Sequence, residues 1–297
     1  MMKVELIVEA NNILGEGPLW DERNKEFVWV DIEKGLLQFF CVEDNGLEVV
    51  VLKEKISAVV LTSVAGTYLL ALKRGLTLYD RIKGSFKKIV DPEKDIPNNR
   101  FNDGKCDSMG RFWIGSMDMD VKKYAGNLYC LNNDSQIDLR LSGLTISNGM
   151  AWSLDNQQMY FIDTDTYKVM CYDYDETSGA IVHPVEAVCV SKEHGAPDGM
   201  CIDSEGMLWI AHWGGANVSR WNPNSGELLE KVDIPAPLVT SCCFGGKDLT
   251  ELYVTTASQG LTEDELKRYP LSGSVFKIKT SIKGAPVHRF HLNGLKE

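Results

Sequence analysis

The chain has 297 residues, 44% of them hydrophobic and 25% charged, a balance that supports a sizeable buried core. Its formal net charge of −11 repels phosphate backbones and argues against general nucleic-acid binding. No stretch approaches the roughly 18 apolar residues of a membrane span, and the opening MMKVELIVEANN holds no apolar run of signal-peptide length. The expectation is a cytoplasmic protein that meets neither membrane nor nucleic acid, its eight cysteines being free thiols of a reducing compartment.

The first predicted strand is VELIVEA (4–10). A short apolar run then recurs along the chain: EFVWVD (26–31), TYLLAL (67–72), RFWIGS (111–116), MYFIDT (159–164), MLWIAH (207–212) and ELYVTT (251–256). Its third residues, Trp29, Leu69, Trp113, Phe161, Trp209 and Tyr253, are spaced 40, 44, 48, 48 and 44 apart. Each run is short and rich in β-branched and aromatic residues, which reads as strand. Most follow a turn signal, such as DERN (21–24), SVAG (63–66), DSMG (107–110) or DSEG (203–206). Another apolar stretch precedes each turn, as in GMAWS (149–153), and further strand material follows, as in VMCYDYD (169–175). TEDELKRY (262–269) allows at most a turn or two of helix. Periods of roughly 40–50 residues holding about four strands each describe a β-propeller.

The predicted fold is therefore all-β: one domain over 1–297, a six-bladed β-propeller of four-stranded antiparallel blades. The first strand and the last, APVHRFH (285–291), are expected to complete one shared blade and close the ring. The anchor aromatics are expected to pack between blades.

Eleven to thirteen residues before the anchors stand Glu16, Ser57, Asn102, Asn148, Asp198 and Ser241. Each begins its unit's innermost strand, so the six form a ring of oxygen-bearing side chains around the axis. Burying two acids together without a counter-charge is costly, and a bound cation removes the conflict. Glu16, Asn148 and Asp198 supply two carboxylates and an amide carbonyl, hard donors that favour Ca²⁺, Mg²⁺ or Mn²⁺ over a soft-ligand zinc site. Asx-Gly pairs such as NDG (102–104), NG (148–149) and DG (198–199) also signal turns and bulges. A set of turn formers would not need Glu16.

Rival chemistries lack their patterns. There is no Gly-x-Ser-x-Gly elbow and no His-Glu-x-x-His. LGEGPLW (14–20) places Trp20 where a dinucleotide loop requires its third glycine.

Together LGEGPLWD, RFNDGKCDSMGRFWIGSMD, ISNGMAWSLD, PDGMCIDSEGMLWIA and TSCCFGGKDLTELYVT, spread over residues 14–256, resemble the SMP-30/gluconolactonase family, the regucalcin-like sugar lactonases. The resemblance implies a six-bladed propeller with one divalent metal on its axis, be it Ca, Mg, Mn, Zn or Fe. The family's metal ligands fall on Glu16, Asn148 and Asp198, and its substrate-contacting Arg and Asn on Arg100 and Asn102. A further substrate-contacting acid, a Glu in the family, is best matched by Asp120 with its shorter side chain. The implied reaction is hydrolysis of a sugar lactone, with Asp198 as the base that takes a proton from water. Two other readings use the same site, a calcium-binding regulatory protein and a hydrolase of organophosphates or other esters.

Overall fold

The computed structural model describes residues 2–292. Among them it is all-β, with one six-residue helix and two short 3-10 turns. All six recurring runs fall on strands, three of them but for one end residue: Glu26–Asp31, Thr67–Leu72, Phe112–Asp118, Gln158–Asp163, Leu208–Trp213 and Glu251–Ala257. Each pairs antiparallel with the strand before it across a tight turn. Three of these turns are fixed by an aspartate. Asp21 accepts the backbone N–H of Arg23, Asp107 those of Met109 and Arg111, and Asp203 those of Glu205 and Met207. The second oxygens of Asp107 and Asp203 take the indole N–H of Trp113 at 2.8 Å and of Trp209 at 2.9 Å. Each of these two turn residues therefore also seats an anchor indole. Trp29, Trp113 and Trp209 are fully buried and Phe161 nearly so, as expected of residues packed between sheets.

Four sheets have four strands each, and a fifth has eight. The eight-stranded sheet consists of two antiparallel runs of four. One holds Ala196–Ile202, Leu208–Trp213, Asn217–Asn222 and Glu227–Asp233; the other holds Leu238–Gly245, Glu251–Ala257, Val275–Lys279 and Val4–Val8. A single residue pair, Trp213 with Leu238, joins them. Four-stranded antiparallel sheets repeated in this way have the architecture of a β-propeller.

Closure uses the amino-terminal strand as predicted but not the predicted partner. Val4–Val8 pairs with Val275–Lys279, and segment 285–291 forms no strand of that sheet. Val275–Lys279 already pairs with Glu251–Ala257 on its other edge, so this run is complete at four strands. Segment 285–291 instead crosses the turn ends of the innermost strands. Ala285 N–H donates to Ile202 O, Phe290 N–H to Leu61 O, and His291 N–H to Gly110 O. Phe290 is fully buried there. The first and last sheets also meet directly, through Thr240 Oγ1 donating to Gly15 O at 2.6 Å.

The helix is Glu263–Arg268, capped by Thr262 and Glu265 in a reciprocal capping box. All eight cysteines are free; six are buried, whereas Cys41 is half-buried and Cys189 exposed.

Candidate metal centre and active site

The innermost strands are Gly15–Asp21, Ile56–Leu61, Asn99–Cys106, Ser147–Trp152, Ala196–Ile202 and Leu238–Gly245. Every one breaks register at the ring residue: between Glu16 and Leu19, Ile56 and Ala58, Phe101 and Gly104, Ser147 and Met150, Pro197 and Met200, and Val239 and Ser241. A bulge re-aims side chains that regular pleating would send alternately to opposite faces. The Asx-Gly pairs are thus both bulges and ring members.

Two glycines have identifiable reasons. Gly17 sits at φ +55°, a left-handed conformation open to glycine at little cost. At Gly149 a methyl group would lie 2.6 Å from the carbonyl oxygen of Asp198. The strands carrying Asn148 and Asp198 can approach so closely only because Gly149 has no side chain.

Glu16, Asn148 and Asp198 are all buried. Glu16 accepts the Gly17 N–H at 3.0 Å. Burial first, and then the charge of Asp103, push its pKa up to about 8, against the opposing effects of the Gly17 N–H and Arg100. The pKa of Asp198 is also raised well above the usual carboxylate range, by burial and then by Glu16 and Asp103, with Asn148 and Arg100 opposing. Asn148 donates its amide N–H to Thr164 Oγ1 at 3.0 Å, which turns its carbonyl the other way. Asn148 Oδ1 and Asp198 Oδ1 are buried acceptors without a hydrogen-bond partner.

Buried oxygen acceptors with no donor, beside two carboxylates that repel one another, match the donor set of a divalent cation. Among the described residues no three His, Cys, Asp or Glu side chains cluster tightly enough to hold a metal. The axial set differs from such a cluster in that one of its three donors is an amide.

Arg100 is buried, with Glu33, Glu16 and Asp198 supporting its charge against desolvation. Its Nη1 donates to Phe101 O at 2.8 Å and to Asn102 Oδ1 at 2.6 Å. Asn102 in turn donates to Ser147 O at 2.8 Å, which ties Arg100 to the neighbouring sheet. Asp120 is exposed and stands apart from the ring, just beyond the strand Phe112–Asp118. Asn98 Nδ2 donates to both Asp118 and Asp120 at 3.0 Å, which holds Asp120 beside the strand that carries Arg100.

Sequence reasoning missed Asp103. It is buried, its pKa is raised chiefly by burial, and its charge acts on both Glu16 and Asp198. Simple alternation would set Asn102 and Asp103 on opposite faces; the bulge removes that rule. The available signal was two consecutive polar residues before a glycine, Asn102 and Asp103 ahead of Gly104, in an innermost strand.

His212 stays within its own sheet, its Nε2 against Ser219 Oγ, and burial lowers its pKa to about 4. Behind the ring a cavity of about 210 Å³ runs to the turn side, lined by Val60, Lys105, Trp152 and Cys242 among others and floored by Ala285–His288. It lies at the opposite end of the inner strands from Asp120.

The chain belongs to the SMP-30/gluconolactonase family: the pattern described as SMP-30/Gluconolactonase/LRE-like region matches residues 14–258. It is similar to regucalcin of Danio rerio, with 36% identity over 97% of this chain and 98% of that protein. It is also similar to the putative sugar lactone lactonase YvrE of Bacillus subtilis, with 35% identity over 95% of this chain and 97% of that one. The solved structure of regucalcin from Agrobacterium tumefaciens, a calcium-binding protein, superposes with a TM-score of 0.93 at 27% identity, covering 97% of each chain.

Proposed function

We propose that this protein hydrolyses a sugar lactone to the open sugar acid in a reaction dependent on one divalent cation. The observation that carries this reading is the buried axial group, where the charges of Glu16 and Asp198 act on one another and Asn148 Oδ1 and Asp198 Oδ1 have no hydrogen-bond partner among the described residues. The lactonase among its relatives supports the substrate class. Glu16, Asn148 and Asp198 would hold the cation, whether Ca, Mg, Mn, Zn or Fe. When bound, it supplies Lewis acidity to the lactone carbonyl and lowers the pKa of a neighbouring water.

The protein side chains do the rest. Asp198 accepts the proton of the attacking water, and the neighbouring positive charge of a bound cation would keep its carboxylate ionised for that task. Arg100, locked by Asn102, offers its remaining N–H groups to sugar hydroxyls or lactone oxygens, and Asn102 supports that orientation. Asp120, at the mouth, binds a hydroxyl and contributes to the choice of sugar.

Splitting the eight-stranded sheet at its single joining pair supports a single six-bladed domain over the whole length. With a formal charge of −11 and no described helix long and apolar enough to cross a membrane, a cytoplasmic enzyme free of nucleic acid and membrane is the reading we adopt.

The test is a panel of aldonolactones and one phosphotriester, each assayed with Ca²⁺, Mg²⁺, Mn²⁺, Zn²⁺ or Fe²⁺. Lactone turnover abolished both by chelation and by Asp198→Ala supports the proposal; turnover that survives both overturns it. The calcium-binding relative favours a second reading, a calcium-binding regulatory protein. Tight Ca²⁺ binding with no turnover of any substrate would select it.

A further inference from the structure

On the turn side of the fold, remote from Asp120, segment 285–291 separates the inner cavity from a second, open pocket of about 270 Å³. Arg23, Ser63, His288, Arg289 and His291 line this pocket together with Val287. Two guanidinium groups and two imidazoles meeting in one depression stand out on a chain of net charge −11.

Several donors there are uncommitted. Arg289 pairs through Nη2 with Glu22, but its Nε is buried with no hydrogen-bond partner among the described residues. Among the described residues the Arg23 guanidinium has only two, long hydrogen bonds, 3.4 Å from Nη1 to Thr62 O and 3.4 Å from Nη2 to Ser63 O. Ser63 Oγ accepts the Leu292 N–H at 3.1 Å, which leaves its own O–H proton to donate.

The donors are also held in place. Ser63 N–H donates to Phe290 O, and Phe290 N–H to Leu61 O, each at 2.8 Å. The His291 ring lies over Gly110, where any Cβ would fall 2.3 Å from its Cγ.

We propose that this pocket is an anion site that binds a phosphate group, either free inorganic phosphate or the phosphate of a small metabolite. Glu22 already fills one edge of Arg289 as a carboxylate. The donors that remain come from several directions, an arrangement that suits a tetrahedral dianion better than a second planar carboxylate. Because the anion would bridge segment 285–291 to the turns at 21–24 and 61–63, occupancy clamps the floor of the inner cavity and raises thermal stability.

The experiment is calorimetric titration, with parallel thermal melts, using inorganic phosphate and separately a hexose 6-phosphate at ionic strength balanced with chloride. The expected result is saturable one-site binding and a rise in Tm, weakened by about tenfold or more in Arg23→Gln and in Arg289→Gln, since a charge-assisted hydrogen bond exceeds the 1.4 kcal/mol that a tenfold change represents. Lys231→Gln, an exposed change elsewhere, should bind as the wild type does. Tighter binding of the hexose phosphate identifies a phosphorylated metabolite as the ligand, and equal binding identifies free phosphate. Absence of saturable binding by either anion into the millimolar range overturns the site. So does affinity unchanged in Arg23→Gln, or affinity lost in Asp198→Asn, which would move the anion to the axis. Arg23 is exposed, so its variant decides the matter if Arg289→Gln does not fold.

Discussion

Glu16→Gln in protein stripped of divalent cations isolates the electrostatic cost of the axial ring. Glu16 has an ordinary pKa of 4.5 and is pushed up to about 8 in the folded chain. A folded value above the unfolded one means that the folded state binds the extra proton. The associated stability is present in full below pH 4.5 and is lost as pH rises through about 8. That span, at about 1.4 kcal/mol per pH unit, sets a ceiling of about 5 kcal/mol on the loss. Glutamine keeps the shape and never ionises. Urea unfolding in chelator should therefore show Glu16→Gln gaining on the wild type as pH rises from 5 to 9, by several kcal/mol at the top of the range. With Ca²⁺ or Mg²⁺ present at about 100 times its dissociation constant, the wild type gains about 2.7 kcal/mol. The lead of the variant should then shrink by about that amount, and the order should reverse wherever the lead is smaller. Equal stabilities across this pH range in chelator, or a variant weaker than the wild type at pH 8.5, would refute the claim that Glu16 is a buried, uncompensated acid.

Four further outcomes are expected. Asp198→Asn should keep the melting profile of a folded propeller while lactone turnover falls by about 10²–10⁴-fold, as loss of a general base requires. Arg100→Lys keeps the charge but loses the fork, so it should raise KM for the lactone more than it lowers kcat, by steady-state assay. Asp103→Asn removes a like charge from Glu16 and Asp198, so calorimetric Ca²⁺ affinity should hold to a lower pH than in the wild type; an unmoved pH midpoint would count against that coupling. Gly149→Ala forces a methyl against Asp198 O and should cost about 1–3 kcal/mol in urea unfolding, with Ca²⁺ affinity falling too.

The repeat itself was legible because strand and turn preferences act locally. Apolar runs of six residues appear at all six anchors and aspartate-led turns at three of them, and each run became the second strand of its unit. Glu16, Asn148 and Asp198 were legible for the same reason: a common register against Trp29, Phe161 and Trp209 puts them at equivalent points of equivalent strands. Segment 285–291 was misassigned because strand-like composition does not say which edge is free. Val275–Lys279 had taken the place beside the amino-terminal strand.

What the sequence determined by itself is thus the unit, its number of recurrences and the side chains each unit contributes. What only the tertiary structure decided is how those side chains meet. The bulge at every ring residue, the reach of Asp103 to both axial acids, and the basic pocket between segment 285–291 and the turns all depend on groups far apart in sequence. Local preference cannot encode these meetings. Burial and charge act through distance in space, and closure of the ring is what brings residues 16, 103 and 198 within each other's field.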